Sequence, residues 1–270
     1  MNPTKSWFNP DQSGHGLVID VTNPDAANHR LLVLTWFVYR DGKPTWVQGA
    51  GVPVAGSGPA ANTVVVPIDQ VAIFKGVSFP LGSAHASAEL WGSITLTFSD
   101  ANTGTLSWHS TFPGFGSGSM PIKHFLAVGL PAQDASGAQV KSCYSGNWFN
   151  PAQSGHGFEI EVLSGASPVL AADWFAYAPD GKPVWLSGAG AISGNSATLH
   201  MAIFDGTGAQ FPPAFNASGL TGHDWGTATF TFSDSTHAQV SWNSTIAGYG
   251  SGTQPLQPIS KGFLDRRSCN

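Results

Sequence analysis

The stretch WGSITLTFSD, residues 91–100, returns later in the chain as WGTATFTFSD, residues 225–234. Apolar and polar residues alternate in both copies, which is the pattern of a half-buried β-strand. Three further blocks are also written twice: SWFNPDQSGHG (6–16) as NWFNPAQSGHG (147–157), WFVYRDGKPTWVQGAG (36–51) as WFAYAPDGKPVWLSGAG (174–190), and GFGSGSMP (114–121) as GYGSGTQP (248–255).

The ten tryptophans follow the same duplication, so the chain is one unit of roughly 130 residues written twice. This length predicts two homologous domains, each large enough to bury its own core. We place the first repeat at 1–126, a linker rich in Ala, Gly, Pro and Gln at 127–142, and the second repeat at 143–270. The tryptophan pairs are Trp7 and Trp148, Trp36 and Trp174, Trp46 and Trp185, Trp91 and Trp225, and Trp108 and Trp242.

Short strand-like runs alternate with turn signals in both repeats, and almost nothing has the pattern of a helix. Asp41-Gly42 and Asp180-Gly181 stand between hydrophobic runs, which is a strong hairpin signal. A loop containing FPLG (79–82) or FPPAF (211–215) interrupts the strands of each repeat. About seven or eight strands per repeat, mostly in hairpin order, predict an all-β protein of two homologous antiparallel β-barrel or sandwich repeats.

The composition limits the classes of partner. Charged residues make up 10% of the chain, against a typical share of about a quarter. The net charge of -5 comes from scattered residues, so a nucleic-acid backbone finds no basic stripe to bind. No apolar run approaches the roughly 20 residues that cross a bilayer as a helix. We expect no nucleic-acid partner, no membrane span and no cofactor, and nothing in the chain predicts an oligomeric state.

The chain has two cysteines, Cys143 and Cys269, which bracket the second repeat. The alternatives are two free thiols or a disulfide that joins the ends of that repeat, which would stabilise the fold by roughly 4–5 kcal/mol. We expect the disulfide, because the ends of a closed barrel or sandwich often lie close together. A disulfide favours a secreted or periplasmic protein. Met1 is followed by polar residues, so we expect an export signal to have been removed.

The duplicated blocks resemble an uncharacterised Trp- and Gly-rich tandem repeat of secreted Gram-negative bacterial proteins. That repeat has a WYNPxxSGxG opening, a WFxYxxDGxPxW hairpin and a WGtltFtF strand, and the likeness spans nearly the entire chain. The resemblance implies a secreted location and a β-fold, and it carries no chemistry. The Trp-Phe-Asn opening of each copy is also similar, over a few residues, to the first strand of avidin- and lipocalin-type barrels.

The strand that begins at Trp91 contains the first candidate binding residue. Because side chains alternate faces along a strand, the numbering puts Trp91 on the same face as Ser93 and Thr95, opposite the apolar residues. Trp225 heads a hydroxyl-lined face in the second copy in the same way. An indole beside short hydrogen-bonding side chains suits a sugar ring or a small amphipathic ligand. The alternative is that Trp91 and Trp225 cap a barrel end or cover a small core.

Trp46 and Trp185 add further candidates, because each lies beside a polar residue after the Asp-Gly turn. Gln48 follows Trp46, and Ser187 follows Trp185. We predict core packing rather than ligand contact for the tryptophans that open each repeat and each hairpin, which are Trp7, Trp148, Trp36 and Trp174.

The SGHG segment is the second candidate site. His15 and His156 each stand between glycines, which allow backbone or ligand to come close. Such a histidine can be a base, a metal ligand or a hydrogen-bond donor to a ligand. The alternative is that Asn-Pro-x-Gln-Ser-Gly forms a turn whose histidine bonds to backbone carbonyls. The accompanying candidate residues are Asn9, Gln12, Asn150 and Gln153.

Carboxylates are few, which limits catalytic schemes. Asp20 and Glu161 occupy equivalent positions on the polar side of the first strand of each repeat. A glycosidase needs two carboxyls about 5 to 10 Å apart, so these two would serve only across a cleft between the repeats. Nine histidines are present without metal-ligand spacing, and we predict no metal site.

We therefore expect a secreted or periplasmic protein that binds a neutral carbohydrate or small amphipathic ligand. Trp91 and Trp225 would stack on the ligand, and His15 and His156 would orient it. The alternative is a secreted hydrolase or lyase acting on a neutral polymer, with His15 or His156 as base and Asp20 or Glu161 as acid partner. A third possibility is a structural or adhesion module.

Overall fold

In a computed structural model, the described residues are 5–22, 30–57, 63–76, 78–79, 86–125, 134 and 136–259. They form two compact units. Each unit contains a closed antiparallel barrel of eight strands, so the predicted fold class is confirmed. The helices in this described part are short 3-10 turns, and none is long and apolar enough to cross a membrane.

The first barrel comes from the first repeat, and neighbouring strands in the chain are neighbours in the sheet. The pairings of β4 with β6 and of β1 with β9 close it, while the two-residue β5 pairs with β6 alone. Its strands are β1 (Lys5–Phe8), β2 (Gly16–Val21), β3 (Leu32–Arg40), β4 (Lys43–Gly51), β5 (Val54–Ala55), β6 (Val64–Lys75), β7 (Ser87–Phe98), β8 (Thr103–Ser110) and β9 (Ser117–His124).

The second barrel comes from the second repeat and has the same meander order, closed by the pairing of its first strand with its last. Its strands are β10 (Gly146–Phe149), β11 (Gly157–Leu163), β12 (Val169–Tyr177), β13 (Pro183–Ser193), β14 (Ser196–Asp205), β15 (Thr221–Phe232), β16 (Ala238–Ser244) and β17 (Ser251–Pro258).

The predicted Asp-Gly hairpins are confirmed. Asp41 and Gly42 both have positive φ, 52° and 81°, as a tight two-residue turn between β3 and β4 requires. In the second repeat Gly181 has a φ of 81° between β12 and β13.

Alternate residues of each strand fill the interior of each barrel with apolar side chains. In β2, Leu17 and Ile19 belong to the core of the first unit, and in β11, Phe158 and Ile160 belong to that of the second. Burying an aromatic or aliphatic side chain of this size stabilises the fold by about 1.5–3 kcal/mol. The tryptophans predicted to pack in the core are all almost fully buried: Trp7, Trp36, Trp148 and Trp174.

Two segments leave their own repeat and join the other unit, although the sequence prediction kept each with its own repeat. Residues 75–87, between β6 and β7, belong to the unit of the second barrel. Residues 205–220, between β14 and β15, belong to the unit of the first barrel. These are the FPLG and FPPAF loops of the sequence. Each barrel is therefore completed by a segment encoded in the other repeat.

Backbone hydrogen bonds fix these segments within their adopted units. Gly42 N donates to Ala209 O at 3.0 Å, and Gly206 N donates to Gly42 O at 3.1 Å. Gly76 N donates to Gly181 O at 3.0 Å in the other unit. We call residues 75–87 and 205–220 the crossing segments. In both units the crossing segment is thus hydrogen-bonded to the Asp-Gly hairpin.

Cys143 is buried in the core of the second unit, beside Tyr144. Cys269 lies outside the described residues, so its predicted disulfide with Cys143 stays a prediction. Half of the predicted linker, residues 127–133 and 135, also lies outside them. From its described part, Asp134 accepts hydrogen bonds from the backbone N–H and hydroxyl of Ser142 at 2.9 and 3.1 Å.

Removing the ring of Phe211 should destabilise the unit of the first barrel, although the residue is encoded in the second repeat. We expect Phe211→Ala to lower the free energy of unfolding by about 3–5 kcal/mol, as for a buried phenylalanine. Leu90→Ala is the control, because Leu90 is 61% exposed, and it should change stability by less than about 0.5 kcal/mol. Chemical denaturation measures both. Equal stability of the two variants would contradict the assignment of residues 205–220 to this unit.

Candidate functional site: two aromatic cages

The ring of Phe79 lies inside the unit of the second barrel, between four aromatic side chains. The ring centroids lie 5.0 Å from Trp174, 6.0 Å from Trp225, 5.8 Å from Trp242 and 5.0 Å from Tyr249. Most of these pairs are edge-to-face, a favourable arrangement for aromatic rings. We call these four side chains cage 2.

An equivalent arrangement surrounds Phe211 in the unit of the first barrel. Its ring centroid lies 4.9 Å from Trp36, 6.2 Å from Trp91, 5.7 Å from Trp108 and 4.7 Å from Phe115. We call these four side chains cage 1. Each cage is therefore built by one repeat and occupied by a phenylalanine from the other.

The predicted orientation of Trp91 and Trp225 is wrong. Both are 0% exposed and belong to the barrel cores, so neither is an open stacking platform. Strand alternation should put Trp91 and Ile94 on opposite faces, yet both are in the core. The prediction failed because it assumed a regular strand through the glycine after each tryptophan.

A backbone irregularity at Gly92 turns Trp91 inward. Gly92 has a φ of 152°, and its equivalent Gly226 has a φ of 126°. A Cβ atom on Gly92 would lie 2.1 Å from the carbonyl oxygen of His109, so glycine is required. The Trp91 carbonyl accepts hydrogen bonds from the Ser110 hydroxyl at 2.6 Å and the Thr111 N–H at 3.1 Å, which hold this irregularity in place.

Several indole N–H groups in the cages have no hydrogen-bond partner. Outside the cages, Trp148 Nε1 donates to Tyr144 O at 2.9 Å. Within cage 2, Trp174 Nε1 donates to His156 Nδ1 at 3.5 Å. A buried donor without a partner costs about 1–3 kcal/mol, and such groups are few in native proteins. The buried indole N–H groups that lack a partner in the described part of the chain are those of Trp36, Trp91, Trp108, Trp225 and Trp242.

Trp46 and Trp185 lie outside both cages. Trp46 is buried, and its ring stacks on Phe74 with a centroid distance of 4.7 Å. Trp185 is also buried, with Phe204 stacked at 6.4 Å. Because another side chain covers each indole, the expectation of open ligand contact is wrong for these two residues.

The asparagines before SGHG stabilise turns, as the alternative interpretation predicted, but its prediction for the histidines is wrong. Among the described residues, neither His15 nor His156 bonds to a backbone carbonyl. Asn9 Oδ1 accepts from Asp11 N at 3.1 Å, and Asn150 Oδ1 accepts from Ala152 N at 3.0 Å. Gln12 Nε2 donates to Pro213 O at 3.2 Å, which attaches the crossing segment of the first unit. Gln153 lies in the equivalent turn, where its backbone N–H donates to Asn150 O at 2.9 Å.

His15 and His156 are both buried, and His15 lies beside the segment that comes from the other repeat. The ring of His15 lies 4.7 Å from that of Phe215, and a Cβ atom on Gly14 would approach the same ring to 2.9 Å. His156 accepts the bond from Trp174 and has no partner at Nε2 in the described part of the chain. Loss of solvent lowers the pKa of both histidines to about 4, so they are neutral at pH 7.

The histidine and the carboxylate of the second repeat lie apart, because His156 precedes β11 and Glu161 lies five residues further along, within that strand. His156 contacts Trp174 in the core, whereas Glu161 alternates with the core residues Ile160 and Val162. These positions do not form the proposed acid–base pair within the repeat. In the first repeat, Asp20 Oδ1 accepts from Val21 N at 2.8 Å. A pairing between repeats stays a prediction.

Asp173 is a titratable residue that sequence analysis missed. It faces Glu159 across β11 and β12 and Ser187 across β13. Although the side chain is partly exposed, desolvation of its carboxyl group and the nearby charge of Glu161 raise its pKa to about 6, while a hydrogen bond from Ser187 opposes the shift. Thr35 occupies the equivalent position in the first repeat, so this carboxyl belongs to one copy alone. No group of three or more potential metal ligands occurs in the described part of the chain.

No family model, curated protein or solved structure matches this chain. The resemblance to the Trp- and Gly-rich tandem repeat therefore stays a prediction, and the cages are defined by their geometry alone.

Replacing Gly92 by alanine should disturb cage 1 by forcing β7 away from β8. We expect Gly92→Ala to lower the free energy of unfolding by more than about 2 kcal/mol, because strain and a steric clash add. Gly116→Ala is the matched control. Gly116 also has positive φ, 59°, but a Cβ atom there meets nothing within 4 Å, so the loss should be about 1 kcal/mol. Denaturation curves compare the two, and equal losses would contradict the steric explanation.

The buried histidines should make the fold less stable as the pH falls from about 6.5 to about 4. The unfolded chain binds these protons first, because the folded-state pKa of each histidine is lowered from 6.5 to about 4. Each contributes a loss of about 3 kcal/mol over this interval. Denaturation at several pH values should show a smaller loss for the double variant His15→Gln and His156→Gln.

Asp173 provides the control of opposite sign. Because its pKa is raised, Asp173 keeps its proton in the folded protein between pH 3.8 and about 6. Its contribution to the free energy of unfolding is therefore lost as the pH rises through this interval. Asp173→Asn should therefore make the acid-induced loss steeper. An unchanged pH dependence in the double histidine variant would show that the histidines are not buried in the neutral form.

Proposed function

We propose that this protein binds a small, neutral, ring-containing ligand in its aromatic cages. A neutral carbohydrate and a small amphipathic molecule both belong to this class. We also propose that it does so as a secreted or periplasmic protein, where the pairing of Cys143 with Cys269 would form.

The observation that carries this proposal is the group of unpartnered indole N–H donors around a position that holds a ring. Phe79 and Phe211 show that each cage has the dimensions of a six-membered ring. A phenylalanine offers the indoles its apolar surface but no oxygen or nitrogen acceptor. A ligand with a ring and polar substituents would keep the aromatic contacts and also accept hydrogen bonds from groups such as Trp225 Nε1.

His156 is suited to orient such a ligand. Its Nδ1 accepts the hydrogen bond from Trp174, so the neutral ring carries its proton on Nε2. That N–H is a donor with no partner in the described part of the chain. The neutral charge of the histidine and of the aromatic cage favours an uncharged ligand, because burial of a charge without a partner is costly.

The duplication gives this function a physical advantage. Two sites on one chain that bind the same polymer or surface gain affinity, because the second contact is intramolecular. Two weak cages therefore suffice for useful binding to a repeated ligand.

Replacing the indoles by phenyl rings, which removes the N–H donors and keeps an aromatic side chain, tests this proposal. We expect the double variant Trp91→Phe and Trp225→Phe to bind its best probe about two- to tenfold more weakly, since each cage loses one hydrogen bond worth about 0.5–1.5 kcal/mol. Isothermal titration calorimetry with methyl glucoside, N-acetylglucosamine, phenol and benzamide supplies the affinities. Circular dichroism verifies that the variant is folded.

Trp148→Phe is the matched control, because it makes the same truncation in the core outside the cage. It should leave the affinity unchanged. If the wild-type protein binds none of the ring-containing probes, or if Trp148→Phe weakens binding as much as the cage variant does, the proposed function is wrong.

A further inference from the structure

The two cages differ in chemistry although their frameworks are duplicated. Phe115 and Met120 in GFGSGSMP correspond to Tyr249 and Gln254 in GYGSGTQP. Phe115 and Met120 are both buried in the apolar core of the first unit. The second unit thus has a hydroxyl and a carboxamide where the first has a phenyl ring and a thioether.

Gln254 lies on the inner face of the second barrel. It alternates along β17 with exposed residues and shares its buried face with Leu256, a member of the core. Across the sheet it is paired with Val240, which is also in the core. It follows Gly252 by two residues, and a Cβ atom on Gly252 would lie 2.4 Å from the ring of Trp242. Gln254 therefore lies on the same face of β17 as Gly252, two residues further along, and Gly252 is the residue that faces the Trp242 ring of cage 2.

The carboxamide of Gln254 is buried without a partner. The residue is 3% exposed, and neither Oε1 nor Nε2 has a hydrogen-bond partner among the described residues. A glutamine side chain can make up to four hydrogen bonds, so its burial in this state is unfavourable. Packing does not require it, since Met120 fills the same position in the first barrel. A bound molecule would satisfy the amide.

We infer that cage 2 is the selective site of the proposed function and that it takes an uncharged ring bearing a carboxamide, which Gln254 recognises. This inference rests on the proposed function of the cages. A carboxamide presents a donor and an acceptor side by side, as Gln254 does, so the two groups form a reciprocal pair of hydrogen bonds. The ring of the ligand takes the place of the Phe79 ring among the tryptophans.

Other groups at cage 2 fit an uncharged ligand of this kind. Trp225 and Trp242 offer unpartnered N–H donors to its carbonyl oxygen. Burial raises the pKa of Tyr249 to about 12, so its hydroxyl group stays protonated and neutral. Cage 1 lacks the reciprocal partner, because Met120 neither donates nor strongly accepts hydrogen bonds.

Benzamide and acetophenone are the probes that test the inference on the full chain. They have nearly the same shape, but acetophenone lacks the amide donor. We expect calorimetry to show one benzamide site per wild-type chain, with at least tenfold weaker binding of acetophenone. Gln254→Met should weaken benzamide at least tenfold and make the two probes equivalent. Met120→Gln should add a second benzamide site.

Ligand-free melting temperatures separate recognition from a folding role. Gln254→Met introduces the side chain already accommodated at position 120 and removes an unpartnered amide, so we expect its melting temperature to rise. A fall would show that the amide is bonded in the free protein and would overturn the inference. Equal benzamide affinity in wild type and Gln254→Met would overturn it as well, while the proposed function would stand. Failure of the wild-type protein to bind any ring-containing probe would overturn both.

Discussion

The structure depends on one interaction made twice: a phenylalanine from one repeat held in an aromatic cage built by the other. The rings of Phe79 and Phe211 each contact four aromatic side chains at centroid distances between 4.7 and 6.2 Å. Without that ring the cage would be a large void, since its walls are bulky aromatic side chains held mostly on strands of the closed barrel. Neither repeat fills its own barrel, so the duplication is a structural requirement.

The same interaction leaves polar groups unsatisfied. A phenyl ring fits the shape of the cage but offers the indole N–H groups no oxygen or nitrogen acceptor. Weak N–H···π contacts with the edge-to-face rings recover only a part of the lost hydrogen-bond energy. The phenylalanine in each cage thus packs well against the apolar surface of the indoles but leaves their N–H groups without a hydrogen-bond acceptor. A ligand that has both a ring and an acceptor can replace the phenylalanine ring, because it also accepts hydrogen bonds from the indoles. This replacement links the fold to the proposed function.

The sequence predicted the barrels because strand alternation, Asp-Gly turns and the duplication all act locally or by simple repetition. It did not predict the cages. Regular alternation along WGSITLTFSD puts Trp91 on the hydroxyl face. In the structure, the φ of 152° at Gly92 changes this alternation, and nothing in the sequence predicts that angle. The role of Phe79 and Phe211 was also missed, because the exchange of segments between units depends on three-dimensional proximity. The difference between Met120 and Gln254, in contrast, is visible in the aligned blocks.

Duplication explains why that difference is tolerated. In a single-copy protein, a buried glutamine without a partner would reduce a stability margin of only about 5–15 kcal/mol. Here the first barrel retains the apolar form of the position, with Met120 in its core. The second contains Gln254 and Tyr249 instead, at some cost to its own stability, because a buried amide without a partner in the described part of the chain is unfavourable. The duplicated framework is thus kept in both barrels, while the hydroxyl of Tyr249 and the carboxamide of Gln254 occur in the second barrel alone.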